Sequence, residues 1–260
     1  MHHYKHKDEL HNIADILLDV ATSLMGAGAH TSRVVANATR MAESFGYEVY
    51  FTIFQKNITA MVVHKESHES VTMVRAAKHM ALNFRVISEL SSLSWDTVDH
   101  RLTLDEVREH YDYIMSMPRM SRWVVLLLVA AANASFCRLF AGDEVAMALV
   151  FTGTLVGFFV RQEMMNRHMP HAIIFIVAAF ISSFITGFGA NMGWGTTPDI
   201  AMATSVLFLI PGVPLINSIM DLLEGHVLTG ISRMVNATIL IISISIGVII
   251  SLLCLGFEKL

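Results

Sequence analysis

The stretch from Ile200 to Asp221 joins a long apolar run to a Pro-Gly-x-Pro step at Pro211, Gly212, Val213 and Pro214. Two prolines at this spacing cannot offer an N–H to the carbonyls of Leu207 and Ile210, so a helix cannot keep its bonds across them. Those two acceptors are expected to be left open. Pro214 suits the first position of a new half-helix, whose early N–H groups and positive dipole end attract an anion. At about 1.5 Å per residue, Pro211 lies about 16 Å from Ile200, near the middle of a hydrocarbon core of about 30 Å. Unpaired backbone in lipid is costly, so such a break persists only inside protein or beside a water-filled cavity. Leu207, Ile210, Pro211, Gly212, Val213, Pro214, Leu215 and Asn217 are therefore candidates for binding a small carboxylate. The alternative is a proline kink packed against neighbouring helices without a ligand.

Asp221 shares a helical face with Asn217, four residues earlier. A carboxylate in an apolar helix is kept for a partner, a proton or a site, which makes Asp221 a candidate proton-coupling group; an interfacial charge is the plainer reading. Arg138 and Arg233 are candidates for substrate access, with an ordinary snorkelling arginine as the alternative for Arg138. Thr186, Asn191 and Ser205 are further polar candidates.

Other chemistry is sparse. Gly26-Ala27-Gly28 follows a helix where a dinucleotide fingerprint needs a strand, and reads as a helix stop. His64 and His68 are four apart, but the glutamate between them is one place late for a metalloprotease helix, which leaves a solvated turn. His2, His3, His6 and His11 suit a polar terminus as well as a stray metal ion. No Gly-x-Ser-x-Gly or Walker sequence occurs. No catalytic residue, cofactor or metal is expected.

These residues need elements to hold them. Of the 18 Lys and Arg residues 13 lie in the first 122 positions, as do 15 of the 22 Asp and Glu residues, so the 54% hydrophobic content is concentrated afterwards. This divides the chain into a cytoplasmic α+β domain, 1–118, and a transmembrane domain, 119–260. In the first, Leu10, Ile13, Ala14, Leu17, Leu18, Ala21, Leu24 and Met25 trace an amphipathic helix, and a second spans about Thr31 to Phe45. Strands are predicted at Tyr47–Phe54 and Ile58–His64, with a further one at Val71–Val74. Helices follow near Leu82–Asp99 and Leu104–Met117, the latter opened by Thr103 and Glu106 at capping-box spacing.

Five apolar segments predict five spans, near Trp123–Leu139, Val145–Val160, Ala172–Gly189, Ile200–Met220 and Met234–Phe257, the fourth discontinuous. Pro118, Pro170 and Pro198 each precede a span, where a missing N–H costs nothing. Arg119, Arg122, Arg161, Arg167 and Arg233 mark cytoplasmic loops, which puts the N-terminus inside and the C-terminus outside. The first apolar stretch is interrupted by Asp15 and Asp19, unlike a cleavable signal. Cys137 and Cys254 sit far apart in apolar runs and read as packing residues. A net charge of −4 favours no nucleic-acid partner.

The chain resembles the threonine/serine exporter family, above all its two-component branch, which includes the soluble-domain-bearing subunit of a bacterial succinate exporter. The resemblance rests on Thr197-Pro198, Ile200–Ala203, Ser205–Leu207, Pro211-Gly212, Pro214–Asn217, Asp221, Gly225-His226, Thr229-Gly230 and Arg233. Phe136-Cys137, Arg161-Gln162 and Arg167-His168 also match its pattern. In the soluble part it rests on Gly28–Arg33 and Phe84–Ile87. It implies a subunit of a secondary exporter in the inner (cytoplasmic) membrane, moving succinate or a threonine/serine-type amino acid with a separate small multi-span subunit. A homo-oligomer is compatible with it. The alternatives are a membrane-anchored cytoplasmic hydrolase and a metabolite-sensing regulatory subunit.

Overall fold

Helix α1 (His2–Gly26) forms where the sequence repeats apolar residues at helical spacing, and Leu10, Ile13, Ala14, Leu17, Leu18, Ala21 and Leu24 are all buried. The computed structural model describes residues 2–78 and 80–256, with side chains from Asp8 onward. The side chains of His2, His3 and His6 lie outside the described residues, as do Phe257, the expected end of the fifth span, and Leu260, the expected extracytoplasmic terminus. Two compact units are present. The first runs up to Pro118 and also takes in Val213–Val235; the second comprises Arg119–Gly212 and the chain from Asn236.

In the first unit α1 stops at the glycine step, where Gly28 has a φ of +100° and a Cβ would collide with the Leu82 side chain. Helix α2 (Thr31–Ser44) buries Val34, Ala38, Met41 and Ala42. Three strands, β1 (Tyr47–Ile53), β2 (Asn57–His64) and β3 (Ser70–Ala76), form an antiparallel sheet in that order, with Tyr47 opposite His64 and Asn57 opposite Ala76. The β2–β3 turn holds His68 at a φ of +57°, and the Ser67 N–H donates to His64 Nδ1 at 3.1 Å. Helices α3 (Phe84–Asp99) and α4 (Leu104–Ser116) complete the core, α4 opened by the Thr103/Glu106 capping box. An ion network ties α1 to β3 and α4. Asp15 pairs with Arg75 and Arg108, while Asp19 is met by Arg75 at 2.7 Å, Arg108 at 2.7 Å and Lys78 at 3.2 Å.

The second unit is helical. It holds α5 (Arg122–Leu139), α6 (Glu144–Asn166), α7 (His171–Asn191), α8 (Pro198–Thr204) and a 3-10 turn, Leu207–Leu209. Helix α9 (Gly212–Leu223) opens on its last residue, and it ends with the later part of α10 (Val227–Leu255). Four helices, α5, α6, α7 and α10, are long and apolar enough to cross a membrane, or up to five spans if Pro198–Leu209 and Gly212–Leu223 count as one. Helix α6 runs on to Asn166 and α10 starts at Val227, so Arg161, Gln162 and Arg233 are helical rather than in loops. Hydropathy marks where lipid-compatible sequence ends, whereas backbone bonding continues for as long as no proline or cap stops it. Gly153 and Gly157 let α6 lie close on α7, since a Cβ at Gly153 would sit 2.7 Å from the Ser182 carbonyl and one at Gly157 3.0 Å from that of Ala178. Cys137 is buried, but Cys254 is exposed on α10 and is not a packing residue within this chain.

Candidate functional site

The interruption in the second unit falls earlier than the prolines alone dictate. Helix α8 ends at Thr204, six residues before the Ile210–Pro211 bond. Ile210 has a φ of −59° and a ψ of 124°, outside the helical region, as the residue before a proline must be. The Leu207 carbonyl, expected to be open, accepts the Ile210 N–H at 3.1 Å, and the Ile210 carbonyl accepts the Gly212 N–H at 2.8 Å. A 3-10 turn takes up the Leu207 carbonyl, and a tight i→i+2 turn beyond it takes up that of Ile210. Helix α9 begins at Gly212, so Pro214 lies within its first turn rather than at its first position; an N–H there has no intrahelical partner to lose.

The groups that need outside help are the carbonyls of Thr204 and Ser205. Asn133 of α5 donates from Nδ2 to the Thr204 carbonyl at 3.2 Å and to Thr154 Oγ1 of α6 at 2.6 Å. Ser182 of α7 donates to the Ser205 carbonyl at 2.8 Å. All five residues are buried, and among the described residues Asn133 Oδ1 has no hydrogen-bond partner. Thr186, one turn on from Ser182, donates back to the Ser182 carbonyl at 2.9 Å. Three helices thus present a polar band to one break in an otherwise apolar unit. Asn133, Thr154 and Ser182 are not among the sequence-predicted residues. Their signal was present: each is a polar residue inside an apolar span.

The same unit ties two loops together. Asp143 caps α6 by accepting the Ala146 N–H at 2.6 Å, and it also accepts the backbone N–H and the hydroxyl of Thr196. Hydrogen bonds from the Thr196 backbone first, then from Ala146, lower its carboxyl to about 2. Gly195, with a φ of +86°, permits that approach. Arg138 is exposed on α5 and donates to the Gly142 carbonyl at 3.2 Å.

In the first unit the segment Val213–Val235 carries Asn217, Asp221 and Arg233, and the structure brings all three to the turn after α1. Asn217 Nδ2 donates to the Gly28 carbonyl at 2.8 Å and Arg233 Nη2 to that of Ala29 at 3.1 Å. The Asp221 carboxylate is fully buried, accepts the Thr31 N–H at 2.8 Å and lies 3.3 Å from Arg233 Nη1. It therefore sits at the N-terminus of α2, where the helix dipole favours a negative charge. Thr229 Oγ1 donates to the Ile53 carbonyl at 2.8 Å, pinning the same segment to β1. On its opposite face α9 exposes Ile216, Ile219 and Leu223, so its polar face is the buried one. Among the described residues, metal-capable side chains converge at His30, Asp221 and Glu224, with ligand atoms within 4.8 Å of one another. The Arg233 guanidinium supplies the positive charge beside Asp221, and Glu224 faces His30 Nδ1 at 3.4 Å. Leu207, Ile210, Pro211 and Gly212 belong to the second unit, and Val213, Pro214, Leu215 and Asn217 to the first.

Residues 15–254 match the family described as "Putative threonine/serine exporter". The chain is 28% identical to a "Probable succinate transporter subunit YjjP" of Klebsiella aerogenes over 97% of each protein. It is 29% identical to the protein of that name from Escherichia coli (strain K12), over 90% of this chain and 91% of that one. A "Probable threonine/serine exporter" of Mycobacterium tuberculosis is 22% identical over 94% of this chain but only 47% of its own length. No solved structure matches.

Proposed function

Since the chain belongs to the threonine/serine exporter family, we propose that it is the soluble-domain-bearing subunit of a secondary exporter for a small carboxylate metabolite. It is a multi-pass membrane protein, with four to five candidate spans and a three-stranded sheet near its N-terminus. Our reading takes five spans, the fourth being the interrupted pair Pro198–Leu223, in the inner membrane. The N-terminus is cytoplasmic and the C-terminus faces outward, as the distribution of arginines favours. Two relatives carry "subunit" in their names, and the third is about twice the length of the aligned region. Both facts favour a separate membrane subunit completing the path.

One observation carries this reading: an apolar helix breaks inside a helical unit, and buried polar side chains from two neighbouring helices, Asn133 and Ser182, serve its carbonyls. Helices that merely anchor a soluble domain have no use for one, because every stranded carbonyl must be matched by a buried donor. Discontinuous helices at midplane are where secondary transporters place cargo. The cargo meets the interrupted segment of the second unit, which Pro211 and Gly212 close. Asn133 Oδ1, a buried acceptor lacking a donor, suits the ammonium of an amino acid; succinate brings no donor to it. Asp221 carries protons only when its pairing with Arg233 opens, and Arg138 steers the anion from outside.

The test is efflux from cells loaded with labelled threonine or succinate, expressing this chain with its partner subunit. Pro211→Ala and Asn133→Leu are expected to cut efflux of the cargo at least tenfold while the protein stays in the membrane. Undiminished efflux in both variants removes the break from the pathway. Asn133→Leu should affect threonine more than succinate if the cargo is zwitterionic.

A further inference from the structure

The first unit holds a cleft of about 700 Å³ between α2 and α3, lined among others by His30, Arg33, Arg40, Ser88, Ser91 and Trp95. Among the described residues, no Asp or Glu lines it, whereas three basic side chains do. His30, Arg33, Asn37 and Arg40 follow one another at helical spacing, so α2 presents them along one face. Arg40 is held in place. Its Nη1 donates to Asn37 Oδ1 at 2.9 Å and to Ser94 Oγ at 2.6 Å, and its guanidinium lies 3.6 Å from the centre of the Trp95 ring. Asn37 and Ser94 are buried, and Asn37 Nδ2 donates in turn to Ser91 Oγ at 3.0 Å. A guanidinium oriented by buried partners and stacked on an indole keeps its planar fork at low entropic cost, the arrangement that favours bidentate carboxylate recognition.

We propose that this cleft is a second binding site, in the soluble unit, for a small organic carboxylate anion. Arg40 takes the carboxylate, Arg33 and His30 hold a second negative group or neutralise the first, and Trp95 packs against the carbon skeleton. The identification of this ligand with the exported cargo rests on the proposed transport function; the binding itself does not. The cleft also has a route to the segment carrying Asp221. Glu224, three residues on, hydrogen-bonds Ser32 and faces His30, both at the cleft's edge. An anion arriving at His30 and Ser32 competes with the Glu224 carboxylate for them, so occupancy of the cleft loosens the α9–α10 turn.

The experiment is titration calorimetry on the purified full chain in detergent, with succinate, threonine and inorganic phosphate as separate probes, alongside tryptophan fluorescence. Binding of succinate or threonine is expected, and Arg33→Ser and Arg40→Gln should each weaken it at least tenfold. Arg33 is exposed, so its variant keeps the test alive if Arg40→Gln loosens α2. Trp95→Phe should abolish the fluorescence change while leaving heat of binding, and Glu224→Gln, which withdraws the competing charge, should tighten binding several-fold. The proposal fails if neither carboxylate binds, if both arginine variants bind normally, or if phosphate binds as tightly as the carboxylates. Intact binding here with efflux unaltered in the break variants would sink the transport site and leave the cleft standing.

Discussion

Replacing Asp221 by alanine isolates what its buried pairing contributes. The substitution strands Arg233, which is 8% exposed, and removes the acceptor of the Thr31 N–H. Breaking a buried ion pair from one side costs about 3–5 kcal/mol, and an orphaned buried amide about 1–3 kcal/mol. The two share one carboxylate and are not additive, so a loss of about 4 kcal/mol is expected. At about 2–4 °C per kcal/mol for a chain of this size, that lowers the midpoint of the first unit by about 10 °C. Asp221→Asn, which keeps an oxygen for Thr31 but loses the charge, should fall between alanine and the parent. The double variant Asp221→Leu/Arg233→Met should be more stable than either single one, because an apolar pair leaves no uncompensated charge. Trp95 is the tryptophan of the first unit, so thermal unfolding followed by its fluorescence in a Trp123→Phe/Trp194→Phe background reports that unit. A midpoint for Asp221→Ala within about 1 °C of the parent, against the slope used above, refutes the reasoning. Efflux by Asp221→Asn then separates the roles: a folded variant without efflux supports proton coupling, and one with full efflux makes Asp221 a structural pin.

Other expectations are simpler to state. Ser182→Ala leaves the Ser205 carbonyl without its donor and should cost about 1–3 kcal/mol, read as a lower unfolding midpoint in detergent. Gly153→Leu places a side chain where the Ser182 carbonyl already lies, so α6 and α7 cannot close; a broad or aggregated elution in size-exclusion chromatography is the expected result, and a normal profile contradicts the packing. Asp143 has a folded value of about 2 against an ordinary 3.8, a depressed carboxyl. Its tie to Thr196 is therefore fully present above the ordinary value and fades as pH falls toward about 2, so hydrogen-exchange protection at Thr196 should drop across that window. Asp143→Asn should flatten the profile. Asp19 is pushed up by burial but lowered overall by its bonds to Arg108 and Lys78 and by the charges of Lys78 and Arg75. Acid should thus weaken the α1–β3–α4 network below the ordinary Asp range, and Asp19→Asn should remove that sensitivity in a circular-dichroism titration.

Local pattern alone was enough for the elements of the first unit, since Leu10 to Leu24 carry their helical period in the residues themselves and Thr103 with Glu106 states its own cap. It was enough too for the apolar helices and for a break near Pro211, because proline's missing N–H is a property of one residue. What local pattern could not carry is the destination of the freed groups. The prolines implicate Leu207 and Ile210, yet a 3-10 turn and the tight turn after it satisfy both, and the need moves to Thr204 and Ser205, met by Asn133 and Ser182 from other helices. Asp221 reads as a lone acid in an apolar helix until the fold sets it against Thr31, 190 residues away, and against Arg233. The face of α2 that carries Arg33 and Arg40 becomes a cleft only once α3 supplies Ser91 and Trp95. Period, cap and break are written in neighbouring residues; hydrogen-bond partners across long separations depend on how packed elements meet, and that is fixed only when the chain has folded.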